Sequence, residues 1–211
     1  MIEHRTVQSG GSSRQGSRER FGVIALALGI VGLLAGYFVL SSRTSGDAGR
    51  NLMPYQSLIH SLPDADQQMF TALRATLLEA EAARVRTSAW PDPAALAARG
   101  LAPFASSGIG AGYTWSRLEQ GAIINYFGQP NDPAAPAWLL EIQEPEPGML
   151  PDTAPPDDEH HRLSNGMMIH TYVWMHRYGG QVPVGFVRQP QNSGWTELFV
   201  TAPNPVFYNR R

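Results

Sequence analysis

Residues 21–40 read FGVIALALGIVGLLAGYFVL and carry no charge. At about 1.5 Å of rise per residue, a helix of that length spans roughly 30 Å, the depth of a bilayer's hydrocarbon core. Gly22, Gly29, Gly32 and Gly36 interrupt the run, but helices in lipid carry more glycine than soluble ones. Gly32-x-x-x-Gly36 either seats a partner helix or is merely permitted there. A cleaved signal peptide would want an apolar region of about 7–15 residues and a small-x-small exit site. This run is longer and leaves through Val39-Leu40-Ser41-Ser42-Arg43. An uncleaved single-pass anchor is therefore expected. Arg5, Arg14, Arg18 and Arg20 precede it, and only Arg43 and Arg50 follow closely. The excess of positive charge before the span places the N-terminus in the cytoplasm. In a Gram-negative cell that makes an inner-membrane protein with its C-terminal domain in the periplasm.

The chain has 211 residues. At about 150 residues per domain, it holds one globular domain besides the anchor. Residues 1–20 form a polar tail rich in Ser, Gly, Gln and Arg, expected to be disordered. Residues 41–61 form a stalk whose first part, Ser41–Asn51, is flexible. The domain covers 62–203, and 204–211 are a tail. Leu62-Pro63-Asp64-Ala65-Asp66-Gln67 looks like a helix entry, with Asp64 as N-cap and Gln67 at the third helical position. Phe70, Leu73, Leu77 and Ala80 continue at helical spacing toward Val85. Asp92-Pro93 opens a second, two-turn helix that Gly100 closes.

From there the pattern turns to strands: Tyr113–Leu118, Ala122–Phe127, Trp138–Gln143, a hairpin over Glu159–Met175, then Val184–Arg188 and Glu197–Thr201. Helices first and strands after predict an α+β fold, with the helices packed on one face of a mainly antiparallel sheet.

Several chemistries are excluded by residue type. The formal charge of −2 supplies no field for nucleic acid. No Cys is present, which removes disulfides, thiolate metal sites and cysteine nucleophiles. All sixteen basic residues are Arg, so lysine Schiff bases and a P-loop lysine are absent. Gly108-x-Gly-x-Gly112 resembles a phosphate loop, but it follows a helix and opens a strand, the reverse of what anion binding needs. The five Trp are spread along the elements as core residues are. No Ser-His-acid pattern stands out, and a non-enzymatic role is expected.

One constellation invites chemistry. Asn165-Gly166 between strand-like runs signals a two-residue hairpin turn. That turn sets Ser164 opposite Met167, Leu163 opposite Met168, Arg162 opposite Ile169 and His161 opposite His170. Opposed Cβ atoms lie about 4.5–5.5 Å apart. Glu159, two residues before His161, shares its face. Glu159, His161 and His170 thus make a two-His, one-carboxylate set suited to zinc or another divalent transition metal. His160, His176 and Asp157 are outer candidates. Glu141, Glu144, Glu146, Asp152, Asp157, Asp158 and Glu159 add negative charge ahead of the histidines, which would concentrate cations. Open coordination positions suit a handover site. The alternative is a solvated hairpin, with Met167, Ile169, Thr171, Val173 and Met175 as its buried face in either case.

The order of anchor, acid-led helix (Asp64–Leu78), Ala89-Trp90-Pro91-Asp92-Pro93, the segment Leu96–Phe104 and Tyr113-Thr114-Trp115 resembles an uncharacterised family of bacterial single-pass membrane proteins met beside zinc or manganese ABC-importer operons. The resemblance covers residues 21–143 and brings no catalytic residues with it. It implies a setting in periplasmic metal acquisition, with a metal ABC importer or its binding protein as partner. A weaker likeness is to pilin-like subunits, but the apolar run lacks their internal Glu and the stalk breaks their continuous helix. The sequence thus predicts a membrane-tethered accessory domain for divalent-metal uptake. A metal-independent interaction domain or a pilin-like assembly subunit is the alternative.

Overall fold

The computed structural model describes residues 52–148 and 156–201. The predicted tail 1–20, the span 21–40, the stalk through residue 51, the centre of the acidic loop and the tail 204–211 lie outside the described residues. No helix among the described residues is long and apolar enough to cross a membrane.

The expected α+β fold is present. Strand β1 (Gln56–Leu58) comes first, followed by helix α1 (Asp64–Thr87) and the short helix α2 (Pro93–Ala98). Strands β2 (Tyr113–Gln120), β3 (Ile123–Pro130), β4 (Ala137–Gln143), β5 (His160–Arg162), β6 (Met168–His176) and β7 (Thr196–Phe199) follow. Helix α1 buries Met69, Phe70, Leu73, Leu77 and Ala80 as one stripe, while Leu78 stays exposed on its outer side. Asp64 and Asp66 sit in its first turn and Arg84 and Arg86 in its last, each matching the helix dipole.

The cap differs from expectation. Pro63 is the N-cap and Asp64 the first helical residue, so the Asp64 side chain makes no cap bond. The Gln67 side chain instead donates back to the Leu62 carbonyl at 2.8 Å. At the other end Ser88 takes a left-handed conformation and its N–H bonds the Arg84 carbonyl. Helix α2 starts at Pro93 as predicted, and Gly100 (φ 70°) closes it. Asp92 does not cap with its side chain, which receives a bond from Arg117 Nε at 3.0 Å.

The strands form a mixed sheet in the order β1-β7-β6-β4-β3-β2, with β5 also paired to β6. Only β1 and β7 run parallel; the other pairs are antiparallel. The domain therefore begins inside the segment read as stalk. A three-residue strand leaves no periodic trace in sequence, which is why β1 was invisible there. Val184–Arg188, expected as a strand, is irregular.

Both sheet faces are buried. On one, Ile124, Tyr126, Trp138, Leu140, Ile142 and Val173 pack with the apolar stripe of α1. On the other, Phe127, Leu139, Tyr172, Trp174 and Trp195 form a second core that takes in Val182 and Val187 from the 177–195 segment. That segment is anchored where the Val187 N–H donates to Asn125 Oδ1 at 2.7 Å. Gly108-x-Gly-x-Gly112 is a short 3-10 turn that leads into β2. A Cβ on Gly110 would lie 1.9 Å from the Pro103 carbonyl oxygen, so the loop is packed tightly against the preceding segment.

Candidate functional site

The hairpin closes one residue differently from the two-residue turn read in sequence. Gly166 N–H bonds the Leu163 carbonyl at 2.9 Å, and Leu163 N–H bonds the Met167 carbonyl at 2.8 Å. Gly166 has φ 88°. Ser164, Asn165 and Gly166 therefore form a three-residue loop, a turn followed by a left-handed glycine. The register becomes His160 opposite His170, His161 opposite Ile169 and Arg162 opposite Met168. Because side chains alternate, this one-residue change exchanges the faces of the two adjacent histidines.

The expected convergence of Glu159, His161 and His170 is therefore not what the structure holds. His161 points toward α1, where its Nδ1 lies 2.5 Å from Glu81 Oε1, with both side chains 13% exposed. His160 takes the place beside His170, their ring centroids 4.6 Å apart at 64°. The Thr171 N–H donates to the Glu159 carbonyl, so Glu159–Thr171 and its alternates are hydrogen-bonded pairs. His160–His170 is then a non-hydrogen-bonded pair, the kind whose side chains approach most closely.

Asp157 organises this end of the strand. Its Oδ1 accepts bonds from the Glu159 N–H, the His160 N–H and the His160 Nδ1, each at 2.8 Å. Partial burial works against the ionised carboxyl, but the bonds from the His160 ring and backbone and from Glu159 outweigh it and hold the pKa below its usual range. His170 Nδ1 lies 3.4 Å from the Tyr172 hydroxyl. His176 is at the far end of β6, with Nδ1 3.1 Å from the Tyr178 carbonyl and its ring against Trp195. Glu159 lines a small cleft with Phe70, Arg74, Asp158 and Glu197, where β5 and β7 share one edge of β6.

Beside the histidine pair, β4 carries a polar row that sequence reading did not place. Gln143 stands opposite His170, and Glu141 opposite both Asn125 and Tyr172. Glu141 is 1% exposed, and its Oε1 accepts from Gln143 Nε2 at 2.6 Å. The alternation Ala137, Leu139, Glu141, Gln143 was a readable signal that Glu141 faces the sheet's second side. The diffuse acidic field expected ahead of the histidines is also altered. Glu141 is interior, Glu144 pairs with Arg84 at 2.6 Å, and Asp158 pairs with Arg74 at 3.3 Å.

Chemically, the site offers two close imidazoles, one of them oriented by a carboxylate. Among the described residues, no three His, Asp or Glu side chains stand together as a ready-made metal cage. A cation held at His160 and His170 would keep coordination positions for water or a partner's ligands. The Asp157–His160 contact has the form of the carboxylate–imidazole bonds that orient metal-binding histidines.

Neither a curated protein nor a solved structure matches the chain. A family model matches residues 56–202, which takes in every strand and both helices described above. The chain belongs to that family, the family of unknown function DUF6162.

Proposed function

We propose that this protein is a membrane-tethered, non-enzymatic periplasmic accessory domain that binds a divalent transition metal such as zinc and hands it to an importer or its binding protein. The observation that carries this reading is the His160–His170 pair, 4.6 Å apart, with His160 Nδ1 held by Asp157 at 2.8 Å. Two protein ligands give modest affinity and fast exchange, and a donor group from the partner would complete the set during transfer. His161 leaves the ligand set, since its ring is committed to Glu81.

A second reading has its own support. The contacts His161–Glu81 and His160–Asp157 also pin the hairpin to helix and turn, as a metal-independent interaction domain would require. Zinc titration by calorimetry on the full-length chain in detergent separates the two. One site per chain is expected, abolished in His160→Ala/His170→Ala and kept in His161→Ala. No heat from the wild-type protein at tens of micromolar zinc would sink the metal reading. Loss with His161→Ala but not with His160→Ala would show that the other hairpin register binds.

A further inference from the structure

The open edge of the sheet points to a second copy of this chain. Strand β2 ends the sheet, pairing with β3 along its whole length from Tyr113–Pro130 to Gln120–Ile123 without a bulge. The ladder's phase is set by the Asn131 N–H, which donates to the Gly112 carbonyl at 2.8 Å. Even-numbered residues of β2 therefore bond inward to β3. The pairing of Tyr113 with Pro130, which has no N–H, agrees with that phase. Tyr113, Trp115, Arg117 and Glu119 then direct their N–H and C=O groups outward. Among the described residues, no backbone bond reaches that edge.

Soluble proteins usually blunt such an edge with proline, a bulge, a very short strand or charged side chains. Of these β2 has only the charges. They are one cation and one anion two residues apart on one face, Arg117 and Glu119, whose side chains bond each other at 2.9 Å while Arg117 Nε also reaches Asp92 at 3.0 Å.

The geometry points to an antiparallel β2–β2 pairing between two copies of the chain, with the two-fold axis at Leu118. That register sets Arg117 opposite the second copy's Glu119, twice by symmetry, and Leu118 opposite its own equivalent on the other face. Shifting the axis to Arg117 would oppose like charges, which is unfavourable across strands. Shifting it to Ser116 would place Arg117 opposite Trp115 and leave Glu119 opposite Tyr113, with no ion pair. Charge complementarity therefore selects the Leu118 axis. Because the interface is isologous, it closes as a dimer and joins the two sheets into one continuous sheet.

The protein has no Cys, so single cysteines report the register cleanly. In the proposed dimer, Leu118 forms a non-hydrogen-bonded pair with its equivalent, with Cα atoms about 4.5 Å apart, within disulfide reach. Ser116 is displaced from its own equivalent by four residues, roughly 13 Å at strand rise, beyond disulfide reach.

Full-length Leu118→Cys in detergent should oxidise to a disulfide-linked dimer at least tenfold faster than Ser116→Cys. Adding Arg117→Glu to Leu118→Cys should slow linkage, and adding Glu119→Arg as well should restore it. Linkage through Ser116→Cys at an equal or higher rate, or through neither, overturns the proposal; the latter leaves the edge to a strand from another protein. Sedimentation velocity gives a readout independent of any cysteine. The wild-type chain should shift from monomer to dimer with concentration. Glu119→Pro, which removes one outward N–H and leaves the inner ladder whole, should stay further toward monomer. A wild-type chain monomeric throughout, or a dimer indifferent to Glu119→Pro, overturns it too.

Discussion

Glu144 shows how a charge can be held in this domain without a large buried penalty. Arg84 Nε donates to its Oε1 at 2.6 Å and Arg84 Nη2 to its Oε2 at 3.2 Å, while Trp90 Nε1 donates to Oε1 at 2.8 Å. Burial alone would raise the pKa, but the hydrogen bonds from Arg84 and Trp90 and the Arg84 charge win, and the carboxyl titrates below its ordinary 4.5. The sign of the pH effect follows. A depressed folded pKa means the ionised group stabilises the fold fully above the unfolded value, and that contribution disappears as pH falls through the folded value. Glu144→Gln keeps the shape and loses the charge-assisted bonds, so it should cost about 1–3 kcal/mol at pH 7. Urea unfolding of wild type and variant at pH 7 and again near pH 3 checks this. The difference should be largest at neutral pH and shrink in acid; a gap that grows in acid would contradict the assignment.

At the scale of the element, the hairpin shows both what the sequence displays and what it hides. The stripe of α1, the Pro93 start and Gly100 end of α2, and strands β2 to β4 are visible, because each follows from local periodicity or a local backbone requirement. The alternation Ile169, Thr171, Val173, Met175 also correctly marks the face of β6 turned toward α1. The two-residue turn expected from sequence gives a register of β5 against β6 one residue from the real one, because Asn165-Gly166 serves equally in a two-residue or a three-residue loop. One residue decides it. Leu163 is the one aliphatic side chain between Glu159 and Gly166 and is 5% exposed in the core with Ile169. Only the three-residue loop puts Leu163 and Ile169 on the same face. In that loop Gly166 sits at φ 88°, so Gly166→Ala should destabilise by roughly 1–2 kcal/mol, the left-handed penalty of a side chain. Thermal melts measure the loss. A strong nuclear Overhauser contact between the Hα protons of His160 and His170, absent between His161 and His170, would confirm the register.

Across the described domain, two cores of unequal construction share one sheet. The face toward α1 is sealed by a 24-residue helix whose backbone bonds are its own. The opposite face is covered by the irregular 177–195 segment, which contributes Val182, Val187 and Trp195 and leaves Tyr178 and Val184 exposed. A cover of that kind has few backbone bonds to break, and local opening should need much less free energy than unfolding the sheet. Asn125 matters here: it is fully buried on β3 and its Oδ1 accepts the Val187 N–H. Hydrogen exchange followed by mass spectrometry distinguishes the two modes. Amides of residues 180–189 should exchange through local opening, at a rate nearly independent of low urea concentration. Amides of β4, bonded on both sides by β3 and β6, should exchange only through global unfolding and quicken steeply with urea. If both sets respond to urea alike, the domain opens as one unit, and the buried Asn125 and Glu141 on the covered face are reached only by unfolding. If they separate as expected, Asn125 and the Glu141 opposite it lie under a cover able to open in the folded protein, whereas His160 and His170, both partly exposed, can meet a cation without that opening.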